Sequence, residues 1–412
     1  MKRPLFPRAI ERLLDQELLV AFPAVMLVGP RGCGKSTSMA QFADTVLDLS
    51  DPSTRFSAAE DPDGILRTSK GRVLVDEWQE CPEILGAIKR AIDQDHSGAT
   101  GRFLITGSAR AAHQAATWPG TGRFIRLRMF GLTQAEIMRD ASYNPIDEFF
   151  SPTVPQFNQS SILREDYFDR IVAGRFPEAI GFGQRNRSLW YRSYTEQLVE
   201  RDTQQVAERN TKARKIRAVL NSCAARTGQV LNKKALSTDA EIDFRTADYV
   251  AGLLEDLSII LRVPAWHVNP IKRLTKSPKV CLVDSGMACN QLGLTAETLS
   301  RSPGLTGQLF ESFVYSELAT HKETAAEVTD LYHLRTEKGL EIDVILERSN
   351  RVVALEVKSS NSAHSRDAKN LLWLRDQIGD RFHMGVVLYS GAHPFQIDER
   401  IWALPISSLW QL

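Results

Sequence analysis

The sequence predicts an α/β fold that begins with a parallel β-sheet carrying helices on both faces. Residues 1–135 alternate between helical and strand-like segments, which is typical of such a sheet. Three of the strands, Val25–Val28, Val73–Asp76 and Phe103–Gly107, are apolar runs that end beside glycine, acidic or hydroxyl residues. Because the carboxyl ends of parallel strands meet at one edge of a sheet, we expect a ligand site there.

The first strand leads directly into a complete phosphate-binding loop. The loop consists of Gly29, Pro30, Arg31, Gly32, Cys33, Gly34, Lys35 and Ser36, and Thr37 follows it at the start of a helix. The glycines let backbone N–H groups turn toward phosphates, Lys35 reaches the β- and γ-phosphates, and the Ser36 hydroxyl is a ligand for Mg²⁺. The positive end of the helix dipole adds to this anion site. The loop therefore predicts binding of ATP together with Mg²⁺.

The next two strands carry the other residues that such a site needs. Asp76 is expected to hold Mg²⁺ through water, and Glu77 to orient or deprotonate the attacking water. The alternative is a strand end with two solvated acids. Thr106 or Ser108 is a candidate sensor of the γ-phosphate, although a strand that runs into a turn would look the same. Three arginines near this edge are candidates for an arginine finger, or else ordinary surface residues: Arg110, Arg123 and Arg126.

Composition and charge limit the class of protein. The 412 residues are enough for two to four domains. With 51 basic and 50 acidic residues the net charge is +1, so no global field attracts nucleic acid, and any such binding depends on local patches. The five cysteines are scattered without metal-ligand spacing, and no apolar run approaches the length of a membrane span. We therefore expect a cytoplasmic protein with reduced thiols and no membrane partner.

Residues 211–268 follow a different pattern, with three helical segments that lead into the apolar strand Ile259–Val263. Three helices followed by a β-wing indicate a winged helix-turn-helix. Basic residues on its helices and beyond its strand would suit contacts with DNA phosphates. They are Lys233, Lys234, Arg245, Lys272, Arg273, Lys276 and Lys279. The alternative is a module that packs against protein and whose basic residues are solvated.

Residues 339–358 predict an antiparallel hairpin. Apolar and other residues alternate on both sides of a two-residue turn at Ser349 and Asn350. In that register the pairs on one face are all apolar, which supports it: Ile342 with Val357, Val344 with Leu355 and Leu346 with Val353.

The other face of the hairpin pairs Asp343 with Glu356 and Glu341 with Lys358. Two opposed carboxylates destabilise a sheet by roughly a few tenths of a kcal/mol unless a cation lies between them. Glu311 lies on an apolar helix stripe upstream and also needs a partner. The hypothesis is a site in which Glu311, Asp343 and Glu356 hold Mg²⁺ or Mn²⁺ and Lys358 acts with them in catalysis. The alternative is a plain Glu341–Lys358 ion pair, with the other acids solvated.

Taken together, these motifs resemble a prokaryotic family of AAA-type P-loop ATPases with a winged helix and a C-terminal domain of the PD-(D/E)XK nuclease superfamily. The resemblance covers nearly the whole chain. Besides the loop and the Asp76–Glu77 pair, it is carried by Leu104–Ser108, Gly122–Arg123, Glu200–Asp202, Lys279–Met287 and Gly307–Val314. It implies ATP hydrolysis with Lys35 and Glu77 as catalytic residues, and phosphodiester hydrolysis at Asp343, Glu356 and Lys358. The segment Gly174–Pro177 departs from the family, where a second glycine is usual.

Four segments follow from these observations. They are an ATPase domain (1–138), a linker with a helical lid (139–210), a winged helix-turn-helix with a connector (211–298) and a restriction-endonuclease-like α/β domain (299–412). We expect a Mg²⁺-dependent ATPase acting on DNA, in which nucleotide state controls the nuclease-like domain. The alternative is a nucleotide-gated switch that binds a protein or DNA partner without cutting. AAA-type relatives often form rings, so a homo-oligomer is also expected.

Overall fold

The computed structural model describes residues 5–107, 122–153, 157–202, 213–273 and 276–411. The chain divides into two compact units. The first comprises Met1–Leu132 with Asp256–Ser258, and the second comprises Thr133–Glu255 with Ile259–Leu412. The sensor candidate Ser108 and the arginine candidate Arg110 lie outside the described residues.

The first unit is built on a five-stranded parallel sheet, as predicted. Its strands are β1 (Ala24–Val28), β2 (Thr45–Asp48), β3 (Val73–Asp76), β4 (Phe103–Gly107) and β5 (Phe124–Arg128). Their order across the sheet is β2-β3-β4-β1-β5. Every residue of β1 is buried, because Met26 and Val28 pack into the core on one face while Val25 and Leu27 pack into the core on the other. A strand covered on both faces requires the continuous apolar run seen in the sequence.

Helices cover both faces of this sheet. They are α1 (Ala9–Leu13), α2 (Leu19–Ala21), α3 (Lys35–Ala40), α4 (Pro52–Glu60), α5 (Pro62–Thr68) and α6 (Ile84–Asp93), with a π-helical turn at Leu14–Leu18 and a 3₁₀ turn at Trp78–Glu80. The start of α4 shows how the sequence sets these bounds. Asp51 accepts a hydrogen bond from the Thr54 N–H at 2.8 Å, and Pro52 occupies the first helical position.

The helices of the second unit, in chain order, lie on both sides of two sheets. They are α7 (Gln134–Ile137), α8 (Pro145–Phe149), α9 (Arg164–Ala173), α10 (Pro177–Ile180), α11 (Gln184–Gln197), α12 (Ala213–Ala225), α13 (Lys233–Asp239), α14 (Phe244–Asp256), α15 (Pro270–Arg273), α16 (Ser285–Gln291), α17 (Ala296–Ser300), α18 (Pro303–His321) and α19 (Lys369–Ile378). A π-helical turn spans Leu198–Asp202, and 3₁₀ turns span Lys322–Thr324, Ser365–Ala368, Gly379–Arg381 and Ile406–Leu409.

The smaller sheet of the second unit is three-stranded and antiparallel. It contains β6 (Gln229–Val230), β7 (Ile260–Val263) and β8 (Lys279–Leu282), and β8 is its central strand. Helices α12, α13 and α14 precede β7 in the chain, so the elements expected of a winged helix are present. Assignment to that class stays a prediction.

The larger sheet is six-stranded and mixed. Its strands are β9 (Asp330–Arg335), β10 (Glu341–Arg348), β11 (Arg351–Lys358), β12 (Phe382–Tyr389), β13 (Phe395–Asp398) and β14 (Ile401–Pro405), in the order β13-β14-β12-β11-β10-β9. Strands β11, β12 and β14 run parallel to one another, and α19 lies in the crossover from β11 to β12. The sheet matches an α/β domain; its membership in the nuclease superfamily stays a prediction.

The predicted hairpin register is confirmed. Val344 pairs with Leu355 and Leu346 pairs with Val353, and all four side chains are buried. Ser349 in the turn has a left-handed φ of 54°, as a tight two-residue turn requires.

The expected linker contains structure that the sequence analysis missed. Helix α8 begins after Asn144, whose side chain accepts a hydrogen bond from the Ile146 N–H and donates one to the His321 carbonyl. Asp147 on this helix pairs with Arg348 of β10 at 2.6 Å. These contacts fasten residues 144–149 to the C-terminal part of the second unit. In the part of the chain that the structure describes, no helix is long and apolar enough to cross a membrane.

Candidate nucleotide site and C-terminal acidic cluster

The phosphate-binding loop has the backbone geometry that its glycines allow. Gly34 has a φ of +106°, which side chains of L-residues rarely adopt. A Cβ added at Gly29 would lie 1.9 Å from the carbonyl oxygen of Met129. Lys35 is buried, and its Nζ donates to the carbonyl oxygens of Gly29 and Pro30 at 3.0 Å each. The lysine ammonium therefore lies within the loop, ready to exchange these carbonyls for phosphate oxygens.

The other residues of the loop differ in exposure. Pro30 and Cys33 are buried, and the Cys33 thiol donates to the Met129 carbonyl at 3.3 Å. Arg31, Gly32 and Thr37 are exposed.

Three predicted site residues from three different elements meet beside the loop. The Ser36 hydroxyl at the start of α3 donates to Oδ1 of Asp76, at the end of β3, over 2.8 Å. The Thr106 hydroxyl on β4 donates to the same carboxylate oxygen. Hydroxyl and carboxylate oxygens are the ligands that Mg²⁺ prefers, so this donor set fits the ion that the sequence predicts.

Glu77 follows Asp76 in an unusual backbone conformation. Its φ of 54° and ψ of 47° are left-handed, and non-glycine residues seldom adopt them outside functional sites and turns. Its carboxylate accepts a hydrogen bond from the Gln79 side-chain amide and lies 3.9 Å from the Arg31 guanidinium. Gln79 was missed by the sequence analysis, although an amide two residues after the expected base could have been noted.

Arg8 is a second residue that the sequence analysis missed. It is buried, and its guanidinium donates to the Cys33 carbonyl at 2.8 Å and to the Phe130 carbonyl at 2.9 Å. It thus braces the loop from the chain segment before α1. Of the arginine-finger candidates, Arg123 forms an ion pair with Asp93 at 2.9 Å.

An acidic cluster in the second unit surrounds a lysine from the smaller sheet. Lys279 of β8 has only 1% of its side chain exposed. Its ammonium donates to Glu311 of α18, lies 2.8 Å from Glu341 and lies 3.8 Å from Asp343, both on β10. Lys279 was expected to contact DNA, and that expectation is wrong, because the side chain is enclosed by these carboxylates.

The remaining predicted residues of the cluster have other partners. Asp343 accepts a hydrogen bond from the Val357 N–H at 2.8 Å. Glu356 is buried and accepts from Lys358 at 3.3 Å and from Asn370 at 3.4 Å. The cross-strand ion pair weighed for Glu341 and Lys358 does not form, because Glu341 pairs with Lys279 instead.

Burial and charge shift the titration of this cluster. Burial, followed by the Asp343 carboxylate, raises the pKa of Glu356 to about 8. Burial alone would lower the pKa of Lys279, but Glu311, Asp343 and Glu341 outweigh it and hold that pKa above its ordinary value. Lys279 therefore carries its positive charge inside the protein.

The predicted metal ligands divide between two ammonium groups. Glu311 and Asp343 face Lys279, whereas Glu356 faces Lys358. Within the described ranges, no group of three or more His, Cys, Asp or Glu side chains is arranged to hold a metal ion.

Comparison with protein families now bears on the first unit. Residues 21–138 match the family model described as an AAA domain. The chain contains an AAA-type P-loop ATPase domain. Residues 164–298 and 306–409 match two further models, each described as a domain of unknown function (DUF8612 and DUF4143).

Relatives of the whole chain are also found. The uncharacterized proteins Mb2031c of Mycobacterium bovis and Rv2008c of Mycobacterium tuberculosis are each 25% identical over 398 residues, which cover 94% of this chain and 81% of the relative. Among solved structures, the Walker-type ATPase PABY2304 of Pyrococcus abyssi is 12% identical with a TM-score of 0.45, covering 71% of this chain and 97% of that one.

Outside the AAA domain, the basic residues expected to face DNA are largely bonded within the protein. Lys233 pairs with Asp248 at 2.8 Å, and both guanidinium nitrogens of Arg273 reach Glu347. Lys276 donates to a backbone carbonyl at 3.2 Å. The others are exposed: Lys234, Arg245 and Lys272.

Proposed function

We propose that the AAA domain hydrolyses ATP with Mg²⁺ as its cofactor. The observation that carries this proposal is the meeting of Ser36, Asp76 and Thr106 beside a loop that already holds the Lys35 ammonium. Ser36 and Asp76 would hold Mg²⁺, which when bound neutralises the phosphate oxygens of ATP. Lys35 would bind the β- and γ-phosphates.

Glu77 is the group that would accept a proton from the attacking water. The Gln79 amide donates to its carboxylate and so fixes the direction in which the free oxygen points. A left-handed backbone at Glu77 turns its side chain away from the course that a continued strand would give it. Thr106 would then report the γ-phosphate through its bond to Asp76.

The Lys35→Ala variant tests whether this loop binds the nucleotide. Loss of the ammonium removes a charge-assisted contact to phosphate, so we expect ATP affinity to fall at least tenfold. The measurement is titration with a fluorescent ATP analogue in the presence of Mg²⁺. Lys89→Ala, which alters an exposed lysine on α6, is the matched control and should bind as the wild type does. Equal affinity in wild type and Lys35→Ala would refute the assignment.

For the second unit we propose a regulatory role, in which it binds a partner under nucleotide control without cutting DNA. The observation that favours this alternative is the Lys279 ammonium at the carboxylates that a nuclease would use for metal. Of the two kinds of partner, a protein fits better than DNA, because four of the seven basic residues considered are bonded internally. A homo-oligomer remains part of this proposal as one form of such a partner.

Incubation with DNA tests the absence of cleavage. Linear and branched duplexes, with Mg²⁺ or Mn²⁺ and with or without ATP, are expected to stay intact on denaturing gels. Cutting by the wild type that the Asp343→Ala variant loses would contradict the proposal and restore the nuclease hypothesis. Cutting that persists in Asp343→Ala would point to a contaminant.

A further inference from the structure

We infer that Lys279 takes the place of a divalent cation in the acidic cluster of the second unit. The nuclease resemblance implies a metal bound by Glu311 and Asp343, and the arrangement of charges does not fit one. The ammonium already contacts Glu311 and Glu341 and lies 3.8 Å from Asp343. This inference deepens the proposal of a non-cutting second unit and does not depend on the ATPase.

Distance excludes a second cation beside the lysine. Mg²⁺ and Mn²⁺ bind carboxylate oxygens at about 2.0–2.2 Å, and an ion that shared Glu311 and Asp343 would meet the ammonium that these oxygens already surround. Like charges at such separations repel strongly where water is excluded. Lys279 has 1% of its side chain exposed, so water does not screen this repulsion.

The lysine is held in the cluster by the sheet that carries it. Strand β8 pairs with β6 on one side and with β7 on the other, and Lys279 is opposite Val230 and Val263. The buried hydroxyls of Thr227 and Ser312 lie 2.8 Å apart, which joins the smaller sheet to α18 one residue after Glu311. A side chain on a central strand that is fastened in this way is a fixed part of the cluster.

No other cation can serve the same carboxylates. Lys358, the lysine that the sequence analysis placed in the site, pairs with Glu356 on β11. Loss of Lys279 would therefore leave Glu311, Glu341 and Asp343 close together without a positive charge. Buried carboxylates in that situation either retain protons or recruit a cation.

Binding of Mn²⁺ to the full chain without nucleotide tests the inference. Free Mn²⁺ is measured by electron paramagnetic resonance during titration of the wild type, Lys279→Met, Asp343→Asn and the Lys279→Met/Asp343→Asn double variant. We expect the wild type and Asp343→Asn to bind Mn²⁺ equally. Lys279→Met should gain one site, at least tenfold tighter than any wild-type binding, and the double variant should lose it. Weak binding at the AAA domain is common to all four and cancels.

The matched control is Lys276→Met, which removes a lysine three residues away that bonds only a backbone carbonyl among its described contacts. It should gain no site. Wild-type Mn²⁺ binding that disappears in Asp343→Asn would overturn the inference, and so would a folded Lys279→Met variant that gains no site. If Lys279→Met does not fold, the wild type and Asp343→Asn still decide. A wild-type metal site without DNA cutting would sink this inference alone, whereas cutting would sink the regulatory proposal.

Discussion

Replacing Glu77 by glutamine is expected to lower the turnover number of ATP hydrolysis by about 10²–10⁴-fold, the usual contribution of a general base. Glutamine keeps the size of the side chain and one oxygen, but it cannot accept a proton at neutral pH. ATP affinity should change little, because Lys35 and the loop backbone bind the phosphates. Steady-state phosphate release gives the turnover number, and titration with a fluorescent analogue gives the affinity.

The matched control for this experiment is Glu80→Gln. Glu80 lies in the same 3₁₀ turn and pairs with Arg55 at 3.1 Å, away from Asp76. It should keep the wild-type turnover number within about twofold, in line with the small energy of an exposed pair. A Glu77→Gln enzyme that hydrolyses ATP as fast as this control would show that another group activates the water.

Local patterns in the sequence were enough to predict the nucleotide loop, the parallel sheet and the hairpin register. Each depends on residues close together in the chain: Gly29 to Ser36 form one turn, and Val344 meets Leu355 across a two-residue turn. The strand ends that carry Asp76 and Thr106 are further apart, but the rule that parallel strands end at one edge places them together. Period and turn chemistry therefore determine these parts.

Contacts that join distant segments could not be predicted in the same way. Arg8 reaches a carbonyl 25 residues away at Cys33 and another 122 residues away at Phe130. Lys279 looked like one more basic residue after a strand, and only the packing of β8 against α18 and β10 places its ammonium among three carboxylates. A lysine in a buried strand of pattern Lys-Val-Cys-Leu was the available signal, since an uncompensated charge is rarely buried.

The segment Gly174–Pro177 shows the same limit, and it leads to the largest stability effect that we expect. Arg175 is fully buried, and its guanidinium bonds Glu317 and Thr320 of α18 at 3.2 Å each and the Val283 carbonyl at 3.1 Å. Its backbone N–H donates to Asp284 at 2.6 Å. One residue therefore joins the α9–α10 connection to α16 and α18.

The Arg175→Met variant is expected to lose about 3–5 kcal/mol of the free energy of unfolding of the second unit. Methionine fills much of the space but leaves Glu317 as a buried carboxylate without its cation, which is the costly half of a broken ion pair. Burial already raises the pKa of Glu317, and Arg175 is the main group that opposes this shift. Urea unfolding followed by tryptophan fluorescence measures the loss, because five of the seven tryptophans lie in the second unit: Trp190, Trp266, Trp373, Trp402 and Trp410.

The double variant Arg175→Met/Glu317→Gln separates the lost charge partner from lost packing. A neutral amide still accepts the hydrogen bond that Glu317 takes from the Gln134 N–H at 3.0 Å, so we expect it to recover more than half of the loss. Arg301→Met removes an exposed ion pair with Glu297 at 2.9 Å and should change stability by less than about 1 kcal/mol. If Arg175→Met is no less stable than Arg301→Met, the buried ion pair is not what holds these helices together. If the double variant recovers nothing, lost packing rather than the stranded carboxylate accounts for the effect.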